Sequence, residues 1–299
     1  MSGKGHPILA VLIILVAVGL LLGLVLTLFL SVAGPSEAFS FKEKIGVLPI
    51  DGTITQSDTL VAQLVEFRKD RRIKAIILRV NSPGGSVGPS QEIYREIRKT
   101  IEKKKVIASL GSLAASGGYY VASAANQIVA NPGTLAGSIG VIMEFVQVEE
   151  LLKKIGVSVE VLKTGEFKDI GSFHRKLSER DREMIRTLVF DVQRQFVEAV
   201  AQGRNLPVEK VREIADGRVL SGAQCKDLGL VDQLGNFEDA VELAKTLAGI
   251  KGEATLVYPK RPRGRWWDLF LRDTSQAVYR AVRDALSVRL EYRWQGGVL

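Results

Sequence analysis

The sequence predicts an α/β protein in which parallel strands alternate with helices, preceded by one long apolar segment. Three observations predict it: short apolar runs recur along the chain, segments with helical spacing of apolar residues follow them, and glycine-rich turns lie between. Strands that alternate with helices form parallel sheets with right-handed crossovers. Functional sites in such sheets gather at the carboxyl ends of the strands.

The individual elements follow from these patterns. The apolar runs predict strands at 45–50, 75–80, 105–110, 128–130 and 157–163, with a further apolar element at 138–143. The run at 75–80 is almost wholly apolar, as in a strand that is buried on both faces. Helical spacing predicts helices at 59–67, 88–103, 121–125, 178–202, 207–215 and 237–248.

The N-terminal apolar segment predicts a membrane anchor. No charged residue lies between Gly5 and Ser36, and the apolar core runs from Ile8 to Val32, longer than the roughly 20 residues that span a bilayer. Residues 1–33 are therefore predicted to be a cytoplasmic stub and a single transmembrane helix, with the remainder of the chain outside the cytoplasm. Cleavage of a signal peptide near Ala33 is the alternative.

The rest of the chain divides into three predicted regions. Residues 34–44 have the composition of a linker, 45–255 form the predicted main domain, and 256–299 form a basic tail. Residues 260–299 carry nine basic and four acidic side chains, with apolar residues at helical spacing. An amphipathic helix of this kind fits an anionic membrane surface or a face of the protein itself, and the pattern does not choose between them.

Composition excludes several kinds of site. The 299-residue chain has one cysteine, Cys225, so no intrachain disulfide or cysteine-based metal framework is possible. The net charge of +8 does not by itself distinguish nucleic acid from anionic lipid. Nucleic acid is not an expected partner, because the chain has no motif that reads it.

A serine lies where the strand at 105–110 turns into the following helix. Ser116 is followed at once by Gly117 and Gly118, and such glycines allow another backbone to approach closely. Unpaired N–H groups at the start of a helix favour negative charge. This is the setting that a nucleophilic serine needs, so the chain is predicted to be a hydrolase.

The sequence offers two kinds of base for this serine, whose hydroxyl is a weak nucleophile until its proton is accepted. The chain has two histidines, and His6 flanks the apolar segment, which leaves His174 for a conventional triad. A lysine replaces histidine where burial keeps it neutral near pH 7. The chain has many lysines, and the residues alone do not select one.

Four segments, in this order, resemble those of the signal peptide peptidase family of membrane-anchored Ser/Lys proteases. They read Arg-Val-Asn-Ser-Pro-Gly-Gly-Ser at 79–86, Leu-Ala-Ala-Ser-Gly-Gly-Tyr-Tyr at 113–120, Gly-Ser-Ile-Gly-Val-Ile-Met at 137–143 and Thr-Gly-Glu-Phe-Lys-Asp-Ile-Gly at 164–171. The separation of 52 residues between Ser116 and Lys168 is like that of half-length bacterial and archaeal members. The resemblance implies a crotonase/Clp-protease-like fold of repeated β-β-α units.

Carried onto the matching positions, the resemblance implies a mechanism. Ser116 would attack the peptide carbonyl, Lys168 would act as general base and then as general acid, and Ser138 would orient Lys168. Backbone N–H groups of the glycine turns would form the oxyanion hole, at Gly84 or Gly85 and at Gly117. The simpler roles are tight turns for the glycines and a local backbone bond for Ser138.

The resemblance also implies partners. In half-length relatives the lysine can come from the neighbouring subunit, so a ring-like homo-oligomer with sites at subunit boundaries is expected. The substrates would be remnant signal peptides and other apolar-rich peptides, and no metal or other cofactor is implied. Two other functions stay open: a crotonase-type enzyme acting on an acyl thioester, and a non-catalytic membrane scaffold. Neither accounts for the pairing of Ser116 with Lys168.

Overall fold

The computed structural model describes residues 7–33, 43–259 and 290–294. The chain divides into two units, Met1–Lys42 and Glu43–Leu299. Most of the predicted linker lies outside the described residues. So do residues 260–289 and 295–299 of the predicted basic tail, which make up most of the segment for which an amphipathic helix was expected.

The N-terminal unit contains one helix, α1, at Pro7–Ala33. The side chains at 14–28 are exposed, including Ile14, Leu20 and Leu28. A search of the described part of the chain finds no helix that is both long enough and apolar enough to cross a membrane. The predicted transmembrane anchor at 1–33, and the single-pass topology that depends on it, are therefore not supported.

The second unit contains eleven strands within the described residues. They are β1 (Lys44–Asp51), β2 (Ile73–Ser82), β3 (Gly84–Ser86), β4 (Lys105–Ala115), β5 (Gln127–Ala130), β6 (Leu135–Gly137), β7 (Ile142–Met143), β8 (Val219–Ser221), β9 (Gln233–Leu234), β10 (Thr255–Val257) and β11 (Leu290–Arg293). Its helices are α2 (Asp58–Lys69), α3 (Val87–Ile101), α4 (Gly117–Ser123), α5 (Glu149–Lys154), α6 (Glu179–Arg204), α7 (Val208–Glu213), α8 (Gly222–Asp227) and α9 (Phe237–Ala248), with a 3-10 helix at Glu166–Asp169.

The main sheet is mostly parallel, which confirms the predicted α/β class. Its strands follow the order β10-β1-β2-β4-β5-β9, and every neighbouring pair along this path is parallel. Strand β6 runs parallel to the end of β4, and β8 pairs antiparallel with β6. A second, small sheet has the order β3-β11-β7.

Both faces of the main sheet are covered, which explains why its strands read as continuous apolar runs. Alternate residues of β2 enter different cores: Ile76 and Leu78 join the cluster that includes Leu64, whereas Ile77 joins the cluster that includes Val241 of α9. All five side chains are buried. Because side chains alternate across a strand, a strand between two helical layers needs an apolar residue at each position.

One predicted strand is wrong. Residues 157–163 have the alternating pattern of a half-buried strand, yet they form no strand, and no described strand pairs with them. The side chains of Val157, Val159, Val161 and Leu162 are all exposed. The pattern describes a capacity to pair, and a strand forms only where a neighbour supplies backbone partners.

Candidate active site

Ser116 lies between the last residue of β4 and the first residue of α4, and its backbone is strained. Its φ of 52° and ψ of −117° are values that L-residues other than glycine rarely adopt. Its N–H donates to the carbonyl of Gly137 at 2.8 Å, and its side chain is buried. Among the residues that the structure describes, the Oγ donates only a long bond of 3.5 Å to the carbonyl of Gly140. The hydroxyl is therefore held in place by the backbone rather than by partners of its own.

Ser138 is brought beside Ser116 by strand pairing. Strand β6 runs parallel to the end of β4 with Gly137 opposite Ala115, so the residues that follow these two leave the sheet together. Ser138 is buried and also has a positive φ, 51°. Its Oγ donates to the carbonyl of Gly217 at 3.2 Å. The lone pairs of this hydroxyl stay available to accept a hydrogen bond.

The predicted oxyanion glycines meet at the same edge of the sheet. Gly84 has a φ of 100°, and a Cβ there would collide with the carbonyl oxygen of Tyr292 and lie 2.6 Å from the amide nitrogen of Gly117. The Gly84 N–H donates to Ser82 Oγ at 3.1 Å. Since that amide is engaged, Gly85 and Gly117 are the stronger candidates for oxyanion donors.

Tyr292, which the sequence did not predict to belong to the site, lies against this glycine turn. Strand β11 pairs antiparallel with β3, with Tyr292 opposite Gly85, and the N–H of Trp294 donates to the carbonyl of Pro83 at 2.8 Å. Tyr292 is fully buried. No signal in the sequence could have placed it, since its neighbours were assigned to an amphipathic tail and its partners lie some 200 residues earlier in the chain.

Lys168 lies in a more exposed environment than the two serines, which are both buried. It lies on the 3-10 helix Glu166–Asp169, and its side chain is exposed. In the described residues no hydrogen bond joins Lys168 to Ser116 or to Ser138. The hydrogen bonds of the described residues thus do not link the predicted base to either serine.

An ion-pair network holds the segment that carries Lys168. Asp169 accepts hydrogen bonds from Lys163 at 2.8 Å and from Arg175 at 2.8 Å, and Arg175 also bonds Asp181 at 2.5 Å. The hydrogen bonds from Arg175 and Lys163 hold the pKa of Asp169 well below its usual range. The loop is thereby tied to the first turn of α6, where Asp181 forms a capping box with Ser178.

Asp181 is expected to contribute stability that disappears in acid. The hydrogen bond from Arg175 and those from Ser178 lower its pKa to about 2, below the roughly 3.9 of an unfolded aspartate. A depressed pKa stabilises the fold above the unfolded value, and this stabilisation is lost as pH falls through the folded value. In urea denaturation from pH 7 to pH 2, Asp181→Asn should lose less stability than the parent between about pH 4 and pH 2. The exposed Asp227→Asn is the control, and parallel curves for Asp181→Asn and the parent would contradict the assignment.

His174, the alternative base, has a different environment. Its ring is partly buried and packs edge-on against Phe173, with centroids 5.5 Å apart. In the part of the chain that the structure describes, it makes no hydrogen bond with Ser116. The geometry therefore does not assemble a Ser/His pair.

Two protein-family profiles match this chain. The profile of Peptidase family S49 matches residues 98–251, and that of Clp protease matches residues 40–133. The second match is consistent with the Clp-protease-like part of the predicted fold. Both matched ranges contain Ser116, and the first also contains Lys168.

Three relatives illustrate the similarity. A Synechocystis protein named as a candidate protease is 45% identical over 71% of this chain and 76% of its own length. The chloroplastic serine protease SPPA of Arabidopsis thaliana is 36% identical over 73% of this chain, but only 32% of its own length is matched. An Enterococcus faecium protein named as a candidate signal peptide peptidase SppA is 40% identical over 62% of this chain and 54% of its own length. With a family match over more than half of its residues, the chain belongs to peptidase family S49 and is a serine peptidase.

Proposed function

We propose that the chain is an endopeptidase that uses Ser116 and Lys168 as a catalytic dyad. The turn at Ser116 carries the proposal: a buried serine in a strained conformation faces two glycine turns, and a backbone carbonyl lies against them. Strain of this kind persists where the surrounding structure holds a residue in place for a task. Membership of a peptidase family favours peptide hydrolysis over the acyl-thioester enzyme and the scaffold.

The proposed reaction follows from these positions. Ser116 Oγ attacks the carbonyl carbon of the peptide bond while Lys168 Nζ accepts the hydroxyl proton. The N–H groups of Gly85 and Gly117 hold the oxyanion that forms, each contributing about 2.7–4 kcal/mol to the transition state. Lys168 then protonates the leaving amine, and water releases the acyl group from Ser116 by the same sequence of proton transfers.

The lysine is proposed to come from a neighbouring copy of the chain. Lys168 is exposed whereas Ser116 is buried, and no hydrogen bond among the described residues joins them, which supports a lysine supplied by another subunit. The segment at 157–163 is also exposed, and its alternating valines have the pattern of a strand without a partner. Pairing of this segment with a second copy would bury the valines and carry the Lys168 loop across the boundary. A ring-like homo-oligomer closes such head-to-tail contacts.

Apolar-rich peptides, including remnant signal peptides, are the proposed substrates. The name of the Enterococcus faecium relative points to signal peptides. The rings of Tyr120 and Phe196, which pack on Tyr292 beside the glycine turn, provide apolar surroundings that are compatible with such substrates. The reaction requires no metal or other cofactor.

Replacement of Lys168 tests the identity of the base. Lys168→Ala should lower kcat for a fluorogenic peptide by about 10³-fold or more, because the proton of Ser116 then has no acceptor. His174→Ala should keep most of the activity. The reverse pattern, with Lys168→Ala active and His174→Ala inactive, would contradict the dyad and restore the triad.

Mixing two inactive variants tests where the lysine comes from. Chains with Ser116→Ala and chains with Lys168→Ala are unfolded together and refolded as one population. If the dyad is shared between subunits, activity should return to at most about a quarter of the parent, since roughly one boundary in four then joins intact Ser116 to intact Lys168. No recovery in a population shown to be co-assembled would place both residues in one subunit.

A further inference from the structure

Gln193, a partly buried residue of α6, bonds two loops that lie far apart in the sequence. Its Nε2 donates to the carbonyl of Ala215 at 2.7 Å and to the carbonyl of Ile139 at 3.4 Å. Ile139 directly follows Ser138, and Ala215 begins the segment 215–218 that leads into β8. A single side-chain amide therefore connects the loop that carries Ser138 with a second loop and with a long helix.

The two loops also hold each other. The N–H of Ser138 donates to the carbonyl of Arg218 at 2.9 Å, and the N–H of Gly217 donates to the carbonyl of Ile139 at 3.1 Å. They pack closely, since a Cβ placed on Gly140 would lie 3.2 Å from the Cα of Gly217. Residues 138–140 and 215–218 thus form one packed unit, and Gln193 joins this unit to α6.

This unit supplies groups to the proposed site. The carbonyl of Gly140 accepts the 3.5 Å hydrogen bond from Ser116 Oγ, and Ser138 is the expected partner of Lys168. Ser138 has a φ of 51°, a value that a residue other than glycine keeps only where its surroundings hold it. A shift of residues 138–140 would therefore displace two groups at once, and a displacement of about 1 Å can lower a rate by 10²-fold.

The amide of Gln193 has one favourable orientation. With its NH2 group toward Ile139 and Ala215, both carbonyls accept a hydrogen bond, whereas the reverse orientation would place three oxygen atoms together without a proton. In the favourable orientation Oε1 is buried and has no hydrogen-bond partner among the described residues. A buried acceptor without a partner costs stability. Departures of this kind from good packing are expected at functional positions.

We propose that Gln193 is a positioning residue of the peptidase, which holds residues 138–140 where Ser138 and the carbonyl of Gly140 serve the dyad. The inference rests on the proposed function for the roles of Ser116 and Lys168. In the described part of the chain, Gln193 makes no hydrogen bond to Ser116 or to the glycine turns. It therefore acts on turnover through the loop, and substrate binding does not depend on it.

Gln193→Met tests the proposal, because methionine has a similar length but lacks both the N–H donors and the unpartnered Oε1. We expect kcat for a fluorogenic peptide to fall by about 10–100-fold, with KM within about twofold of the parent value. The melting temperature should stay within about 4 °C of that of the parent. The control is Gln202→Met, an exposed position on the same helix, which should keep the parent kcat. An unchanged kcat in Gln193→Met, or an equal loss in the control, overturns the inference.

A double variant separates positioning from a merely structural role. If Gln193 acts through Ser138, adding Gln193→Met to Ser138→Ala should lower kcat by less than about threefold further, because the hydroxyl that it positions is already gone. A residue that only stabilised the fold would lower kcat by the same factor in both backgrounds. Equal factors would therefore contradict the proposal.

Hydrogen exchange follows the loop without turnover. In Gln193→Met the amides of Ser138 and Gly217, which bond across the two loops, should exchange at least about tenfold faster, while those of β2 keep the parent rates. Gln193→Glu serves if the methionine variant does not fold, because an ionised carboxylate cannot donate to the two carbonyls either. Unchanged exchange overturns the inference. Faster exchange, together with no peptide hydrolysis by the unaltered chain, would instead overturn the proposed function alone.

Discussion

Replacing Ser116 by alanine is expected to abolish peptide hydrolysis and to leave the fold intact. The Oγ is the only atom lost, and its one hydrogen bond to another described residue is a long one of 3.5 Å to the carbonyl of Gly140. Loss of a nucleophile typically lowers kcat by about 10⁴–10⁶-fold. Initial rates with a fluorogenic peptide measure the first effect, and thermal unfolding measures the second.

Two further variants make this result specific. Ser112→Ala changes an exposed serine on the same strand, β4, and should keep full activity. Ser116→Gly should also be inactive, but its melting temperature should rise, because glycine adopts a φ of 52° without strain worth about 1–3 kcal/mol. Hydrolysis at the parent rate by Ser116→Ala would show that another residue is the nucleophile.

Gly84→Ala is expected to have the second largest effect. Alanine at a φ of 100° is strained, and its Cβ would collide with the carbonyl of Tyr292 and crowd the amide of Gly117. A peptide substrate bound at this turn would meet the same Cβ. We therefore expect kcat/KM to fall by about 10²–10³-fold, the usual effect of losing one oxyanion interaction, together with a lower melting temperature.

Gly88→Ala is the matched control for this substitution. Gly88 lies four residues further along, in α3, and a Cβ there would meet nothing within 4 Å. Since alanine has a higher helix propensity than glycine, this variant should be as active as the parent and somewhat more stable. If Gly84→Ala and Gly88→Ala behaved alike, crowding at the Gly84 turn would not be the cause of a lower kcat/KM or melting temperature.

The local spacing of apolar residues was sufficient to predict most strands and helices of the α/β fold. The strands around 76 and 107 and the helices around 64 and 241 appear where the apolar spacing predicts them, because each is set by which faces must be buried. The neighbouring positions of Ser116 and Ser138 also follow once β4 and β6 are parallel neighbours. In these places local preference and global fold agree.

The parts that could not be predicted depend on distant partners. Residues 157–163 have the pattern of a strand, but the pattern does not say whether a partner exists within the chain. Strand β11 is only four residues long, and its place is decided by β3 and β7, far away along the chain. The position of Lys168 depends on the ion pairs of Asp169 and Arg175, which periodicity does not reveal.

The pairing of both edges of β11 has a consequence for which proteins the enzyme can attack. A chain held between β3 and β7 has no backbone edge left for a partner in its own protein. Strands inside a folded sheet and residues inside a helix already use their backbone N–H and C=O groups for hydrogen bonds. They therefore cannot pair in this way until those hydrogen bonds are broken. If peptide substrates bind the proposed site in the same extended form, we expect unfolded tails, linkers and released fragments to be cleaved faster than natively folded proteins.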